Sequence, residues 1–175
     1  MKGITMAGET LPEPWLRGIF TDVAAVPRAV LHALELARED LEKWCAGLSD
    51  AEVNARPAGI APVAFHLRHI ARSIDRLLTY AEGNSVNAEQ IAALKTEMGP
   101  GGESLEIFAE FTAALERSAA RIRAFDPARL GEPRSVGKQQ LSTTLGGLLV
   151  HVADHTQRHV GQAITTAKII ISQRG

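Results

Sequence analysis

Four stretches of this 175-residue chain carry apolar residues at steps of three and four, with charged residues between them. This spacing puts the apolar side chains on one face of a helix, and it predicts helices over about 27–48, 61–81, 105–125 and 144–169. We find no convincing alternation of the kind that half-buried strands show. The chain is therefore predicted to be all-α, an antiparallel four-helix bundle with short extra helices in its connections.

The connections between these helices contain glycine, proline and capping residues. Residues 87–98 are predicted to form a shorter helix, which ends at the Gly-Pro-Gly-Gly run of 99–102. The polar segment 130–141 contains two glycines and a proline, which predicts a loop or a short irregular hairpin. Thr143 or Thr144 is suited to cap the last helix.

Length and composition limit the classes of protein. We expect one domain over 21–175, preceded by a partly ordered N-terminal extension at 1–20. Nineteen basic and twenty acidic residues give a net charge of −1 without a basic run, which argues against a nucleic-acid partner. We expect a cytoplasmic protein with no membrane partner, since neither a signal peptide nor an apolar span is recognisable. Cys45, the only cysteine, is expected to be a small buried hydrophobic residue.

Histidines give the strongest chemical signal, because five of the six fall in two predicted helices. His155 and His159 lie one turn apart, about 40° around the helix and about 6 Å along it, so their rings can share one metal ion. The other helix offers His66 and His69 as the third ligand. Three imidazoles would form a neutral site with open positions, suited to Zn²⁺ or Ni²⁺. His151, one turn before His155, is expected to line a pocket or to hydrogen-bond a ligand.

The runs HVADHTQRHVGQ and HLRHIARSIDRLLTYAEG resemble the HxxxHxxxHRGQ and HIA segments of the DinB/YfiT-like superfamily. Its members are four-helix bundles, commonly dimers, that bind a divalent metal through three histidines. The resemblance implies that the metal ligands are His69, His155 and His159. It also implies a homodimer and a small-molecule substrate or low-molecular-weight thiol as partner or cofactor.

Some members of this superfamily are thiol-dependent transferases, and many have no established activity. The resemblance thus implies a metal-dependent enzyme, such as a thiol-dependent S-transferase or a related transferase or hydrolase. The alternative is a non-catalytic binding or stress-response module with a structural or vestigial metal. Asp154 lies about 100° around the helix from His155 and is expected to point away from the ion, so no general base is assigned.

One residue departs from the family pattern: Val160 stands where relatives have arginine. If that arginine anchors a substrate carboxylate in relatives, this chain either lacks the contact or takes it from Arg68, Arg72 or Arg158. Gly161 is expected to permit a close approach between helices. The residues expected to line a pocket or to hydrogen-bond a ligand are His66, His151, Gln162 and Arg72.

Overall fold

The computed structural model of the protein describes residues 11–174, so the first half of the extension expected at 1–20 lies outside the described residues. The α-helices of the described part are α1 (Ala25–Cys45), α2 (Asp50–Val53), α3 (Val63–Ala81), α4 (Ala88–Thr96), α5 (Ser104–Arg123) and α6 (Leu145–Ser172). Two strands, β1 (Pro133–Val136) and β2 (Leu141–Thr144), and three single 3₁₀ turns complete this part of the chain. The prediction of an all-α bundle with short extra helices is confirmed.

The four long helices form a closed ring in which α6 packs against α1 and α3, and α5 packs against the same two helices. His155, in the first half of α6, contacts Ser73 in the middle of α3, and Thr166, in the second half of α6, bonds to Ala61 just before α3 begins. Helices α3 and α6 therefore run antiparallel. Helices α3 and α5 run parallel, since Arg72 bonds to Glu110 and Glu82 bonds to Arg121, so the predicted antiparallel arrangement does not hold for this pair. The long connection that contains α4 returns the chain to the end of the bundle where α3 began.

Helix α3 is positioned by the apolar stripe that predicted it. Leu67, Ile70, Ile74 and Leu78 recur at steps of three and four, and all four are fully buried in the core between the long helices. Full burial of such side chains contributes about 1.5–3 kcal/mol each to folding. The stripe therefore fixes the rotation of α3, and the polar residues on its other faces follow from it.

Cys45 is also fully buried, and this confirms its predicted role as a small hydrophobic residue. Burial raises the pKa of its thiol to about 12, so the sulfur stays protonated and unreactive at neutral pH.

Of the two predicted alternatives for the segment before α6, a loop or a hairpin, the structure has the hairpin. Pro133 lies opposite Thr144 and Val136 lies opposite Leu141. Thr144 caps α6, because its side-chain oxygen accepts a hydrogen bond from the backbone N–H of Gly147 at 3.0 Å. The first two amides of the helix, those of Leu145 and Gly146, donate to the backbone carbonyls of Glu132 and Leu130 in the preceding segment. These contacts fix the start of α6 and, through the regular helix, the height of the histidines that follow.

Among the helices within residues 11–174, none is both long enough and apolar enough to cross a membrane.

Candidate metal centre

Three histidines from α3 and α6 come together at the antiparallel interface of these helices. The ring centroids of His69 and His159 lie 4.3 Å apart, those of His155 and His159 lie 4.7 Å apart, and those of His69 and His155 lie 5.0 Å apart. One nitrogen from each ring lies within 4.8 Å of the others. The arrangement can hold a metal ion, because Zn–N bonds of about 2.0–2.1 Å place ligand nitrogens about 3–4 Å apart.

Each of the three rings is held through its Nδ1 atom by a different partner. Nδ1 of His69 lies 2.6 Å from Oε2 of Glu97, and Nδ1 of His159 lies 3.1 Å from Nδ1 of His66. Nδ1 of His155 lies 3.5 Å from the hydroxyl of Ser73, at the outer limit of a hydrogen bond. With Nδ1 engaged, Nε2 is the atom of each ring that remains for an ion, and Nε2 of His69 lies 3.3 Å from Nε2 of His155.

Glu97 is the most buried carboxylate at the site, with 3% of its side chain exposed. It accepts a hydrogen bond from His69 through one oxygen and forms an ion pair with Arg76 at 2.7 Å through the other. Burial alone would raise the pKa of Glu97, but the two hydrogen bonds outweigh it and hold the pKa below its ordinary value. The ionised carboxylate fixes His69 with its proton on Nδ1.

Burial sets the charge of the neighbouring rings. Burial, helped by the charges of adjacent histidines and, for His155 and His159, of Arg158, lowers the pKa values of the His66, His155 and His159 rings to about 4. These three imidazoles are therefore neutral at pH 7, which is the form that binds a metal ion. Neutral nitrogen donors in a half-buried setting fit Zn²⁺ or Ni²⁺, whereas Mg²⁺ and Ca²⁺ prefer oxygen.

A family model of the DinB superfamily matches residues 33–163, a range that runs from α1 into α6 and includes all three histidines. The chain belongs to the DinB superfamily. A comparison with curated proteins found no match. Membership accounts for the helix order and is compatible with metal binding at the histidine cluster, while the reaction stays a proposal.

The remaining residues named from the sequence of this DinB-superfamily chain lie in different settings. His66 is buried and bonds to His159, whereas His151 is half exposed, with Nδ1 3.8 Å from a carboxylate oxygen of Asp154. Asp154 itself is exposed and bonds to Arg158. The guanidinium of Arg72 is engaged by Glu110, Thr96 and a backbone carbonyl at the junction of α3, α4 and α5.

The three arginines expected as substitutes for the arginine of DinB relatives have different contacts. Arg68 donates to backbone carbonyls of the glycine-rich turn at 99–102, and Arg72 is engaged as described. Arg158 alone lines a groove beside the histidines. Val160 is buried in the core, where it packs rather than contacts a substrate.

The expectation for Gly161 is wrong. A Cβ atom placed on this residue would meet no heavy atom within 4 Å from other parts of residues 11–174, so none of the described helices approaches it closely. Gly161 and Gln162 both line the groove beside His66.

Apart from His66, the residues that hold the candidate ligands were not predicted from the sequence. Ser73 and Arg76 follow His69 on α3 at steps of four and three residues, so helical spacing alone places them near its face. Glu97 immediately follows α4, and only the folded connection brings it to His69.

Proposed function

We propose that His69, His155 and His159 bind one divalent metal ion, Zn²⁺ or Ni²⁺, and that the protein is a metal-dependent transferase acting with a small thiol. One observation carries the proposal: each of these rings has its Nδ1 occupied by a separate partner. Three Nε2 atoms are thereby left for one ion, and three protein ligands leave open positions on Zn²⁺ or Ni²⁺.

The chain's own residues would orient the ligands and shape the access to them. Glu97 holds the tautomer of His69 and makes its Nε2 a stronger donor, as carboxylates that hydrogen-bond metal-binding histidines do. Phe65 stacks on His69 with ring centroids 5.3 Å apart and forms an apolar wall on that side. The side chain of His69 is 17% exposed, so a small molecule can approach the cluster.

The proposed reaction is the transfer of an electrophilic group to the sulfur of a thiol. When bound, the metal would lower the pKa of a coordinated thiol and hold its sulfur as a thiolate at neutral pH. In the transfer, the sulfur would form the new bond to the electrophilic carbon, the leaving group would depart with the bonding electron pair, and the thiol proton would pass to solvent. This chemistry needs no separate general base, which agrees with the pairing of Asp154 and Glu97 to arginines.

The first test is metal binding by the full chain without a histidine tag. We expect one zinc or nickel ion per chain by elemental analysis, removable by a chelator and restored by added metal. A metal-free protein that binds neither ion at micromolar concentration would overturn the proposal.

The second test is access of a thiol to the metal, with Co²⁺ in place of the native ion. Addition of 2-mercaptoethanol should produce a sulfur-to-cobalt charge-transfer band, and thiol with 1-chloro-2,4-dinitrobenzene should give the S-aryl product faster than without protein. Bound Co²⁺ with an unchanged spectrum and no product would instead indicate a structural metal in a non-catalytic module.

A further inference from the structure

A groove of about 570 Å³ lies beside the histidine cluster, between the start of α3 and the second half of α6. Its walls are formed by Ile60, Phe65, His66, Arg158, Gly161 and Gln162, together with small neighbours. This volume is in the range of small-molecule pockets, which combine an apolar lining with a few polar groups.

The groove depends on the absence of a side chain at Gly161. This glycine lies in the middle of α6, where glycine is unfavourable for a helix, and no unusual backbone angle requires it. Since a Cβ atom there would meet nothing within 4 Å, the space above Gly161 belongs to the groove.

Arg158 lines this groove, and none of the described residues that line it is acidic. The groove is therefore suited to a negatively charged ligand. The guanidinium of Arg158 bonds to Asp154 at 2.8 Å, and both side chains are 57% exposed. An exposed pair one helical turn apart is weak, so Arg158 can exchange this partner for an anion in the groove.

His66 joins the groove to the candidate metal centre. If Nε2 of His159 binds the ion, Nδ1 of His159 carries the proton and donates it to Nδ1 of His66, 3.1 Å away. The proton of a neutral His66 is then on Nε2, which has no protein partner within the described residues. His66 thus offers an N–H donor to the groove, and Phe65 contacts both the groove and His69.

We infer that this groove binds a small organic anion with an apolar body. Arg158 and Nε2–H of His66 receive its carboxylate or sulfonate, and Ile60 and Phe65 contact the apolar part. That the anion is the substrate of the metal centre, and that His66 donates to it, rest on the proposed function; that it binds in the groove beside Arg158 does not.

The test uses two fluorescent probes of nearly the same shape, 8-anilinonaphthalene-1-sulfonate and the uncharged N-phenyl-1-naphthylamine. Each is titrated into the zinc-treated full chain. Gly161→Leu should weaken binding of both probes by about tenfold or more, because its side chain projects into the groove and occupies space that the probes need. Arg158→Gln should weaken only the anionic probe, by about fivefold, as for loss of an exposed ion pair.

Matched controls are present in the chain. Gly47→Leu changes another glycine whose Cβ meets nothing, and Arg129→Gln removes an arginine that is also 57% exposed and paired to a nearby carboxylate. Both should leave the two affinities unchanged. Equal affinities for the wild type and Gly161→Leu would overturn the groove as a binding site, and equal weakening of both probes by Arg158→Gln would overturn its preference for anions.

Zinc content, measured in the same samples, separates this inference from the proposed function. Selective loss of probe binding in a chain that binds no zinc would leave the groove standing and refute the metal centre. Stoichiometric zinc, together with probe affinities that no variant changes, would support the metal centre and refute the groove.

Discussion

Neighbouring residues of α6 lie in two different environments. His155 and His159 face α3, are partly exposed and have hydrogen-bonding partners on α3. Thr156 and Val160, the next residue in each case, are buried in the core. The hydroxyl of Thr156 is the buried side-chain polar atom within residues 11–174 that has no hydrogen-bond partner.

The difference between the two faces of α6 shows where hydrogen-bonding partners are present. On the histidine face, Glu97, Ser73 and His66 each engage one ring, and Arg76 in turn neutralises the buried Glu97. On the core face a single hydroxyl is left unpaired, which costs about 1–3 kcal/mol. The polar partners are therefore concentrated where a ligand must be oriented, and the two faces should respond oppositely to the loss of polar groups.

Loss of a ligand should have the largest effect. His155→Ala leaves two imidazoles, and we expect the affinity for Zn²⁺ to fall by about 100-fold or more. Competition with a chromophoric chelator measures this change. His151→Ala is the matched control, since it removes a half-exposed histidine one turn earlier on the same helix. Similar losses in both variants would refute the assignment of His155.

Loss of the buried carboxylate should come next. Glu97→Gln keeps the shape of the side chain but removes the charge that His69 and Arg76 contact, and we expect a 10- to 100-fold weaker affinity for zinc, the usual effect of changing such partners. Glu110→Gln is the control, because Glu110 also pairs with an arginine of α3 but has no contact with a histidine. An unchanged zinc affinity in Glu97→Gln would show that the carboxylate does not orient the ligand.

These two predictions differ in how far the sequence could anticipate them. His155 and His159 are four residues apart in one helix, so helical geometry alone places both rings on one face. The long helices were predicted for the same reason, because apolar spacing is local information. Glu97 lies 28 residues after His69 and is brought to it by the turn after α3 and the packing of α4, which no spacing rule describes.

The choice between His66 and His69 shows the same limit. Their spacing separates them around α3 but does not say which ring faces the interior of the cluster. The structure brings His69 to the two histidines of α6 and places His66 behind His159. The prediction for Gly161 was wrong because a glycine within a helix has two explanations that look the same in the sequence. Its missing side chain can make room for a neighbouring helix or for an open groove.

Acid should act on the histidine face more than on the core face. The pKa values of His66, His155 and His159 are about 4 in the folded chain against about 6.5 in the unfolded chain. The unfolded chain therefore binds more protons between these values, so the free energy of unfolding of the metal-free protein should fall as the pH drops from 6.5 through 4. We expect the loss to be steepest between about pH 6 and pH 4 and to level off below pH 4, where these histidines are protonated in both states.

Urea unfolding at several pH values measures this loss. His66→Gln should reduce the slope, because His66 is the most buried of the three rings. A free energy of unfolding that is constant or rises as the pH falls from 6.5 to 4 would contradict the lowered pKa values of these three histidines.

The smallest predicted effect has the opposite sign and belongs to the core face. Thr156→Val replaces an unpaired buried hydroxyl by a methyl group of similar size, which removes the desolvation cost of the hydroxyl. We expect the free energy of unfolding to rise by about 1 kcal/mol, measured by urea unfolding of the metal-free protein. The control is Thr166→Val on the same helix, where the buried hydroxyl donates to the backbone carbonyl of Ala61 and its loss should destabilise the protein. If Thr156→Val lowers the free energy of unfolding, the hydroxyl of Thr156 has a hydrogen-bonding partner. The contrast between the core face and the histidine face would then not hold.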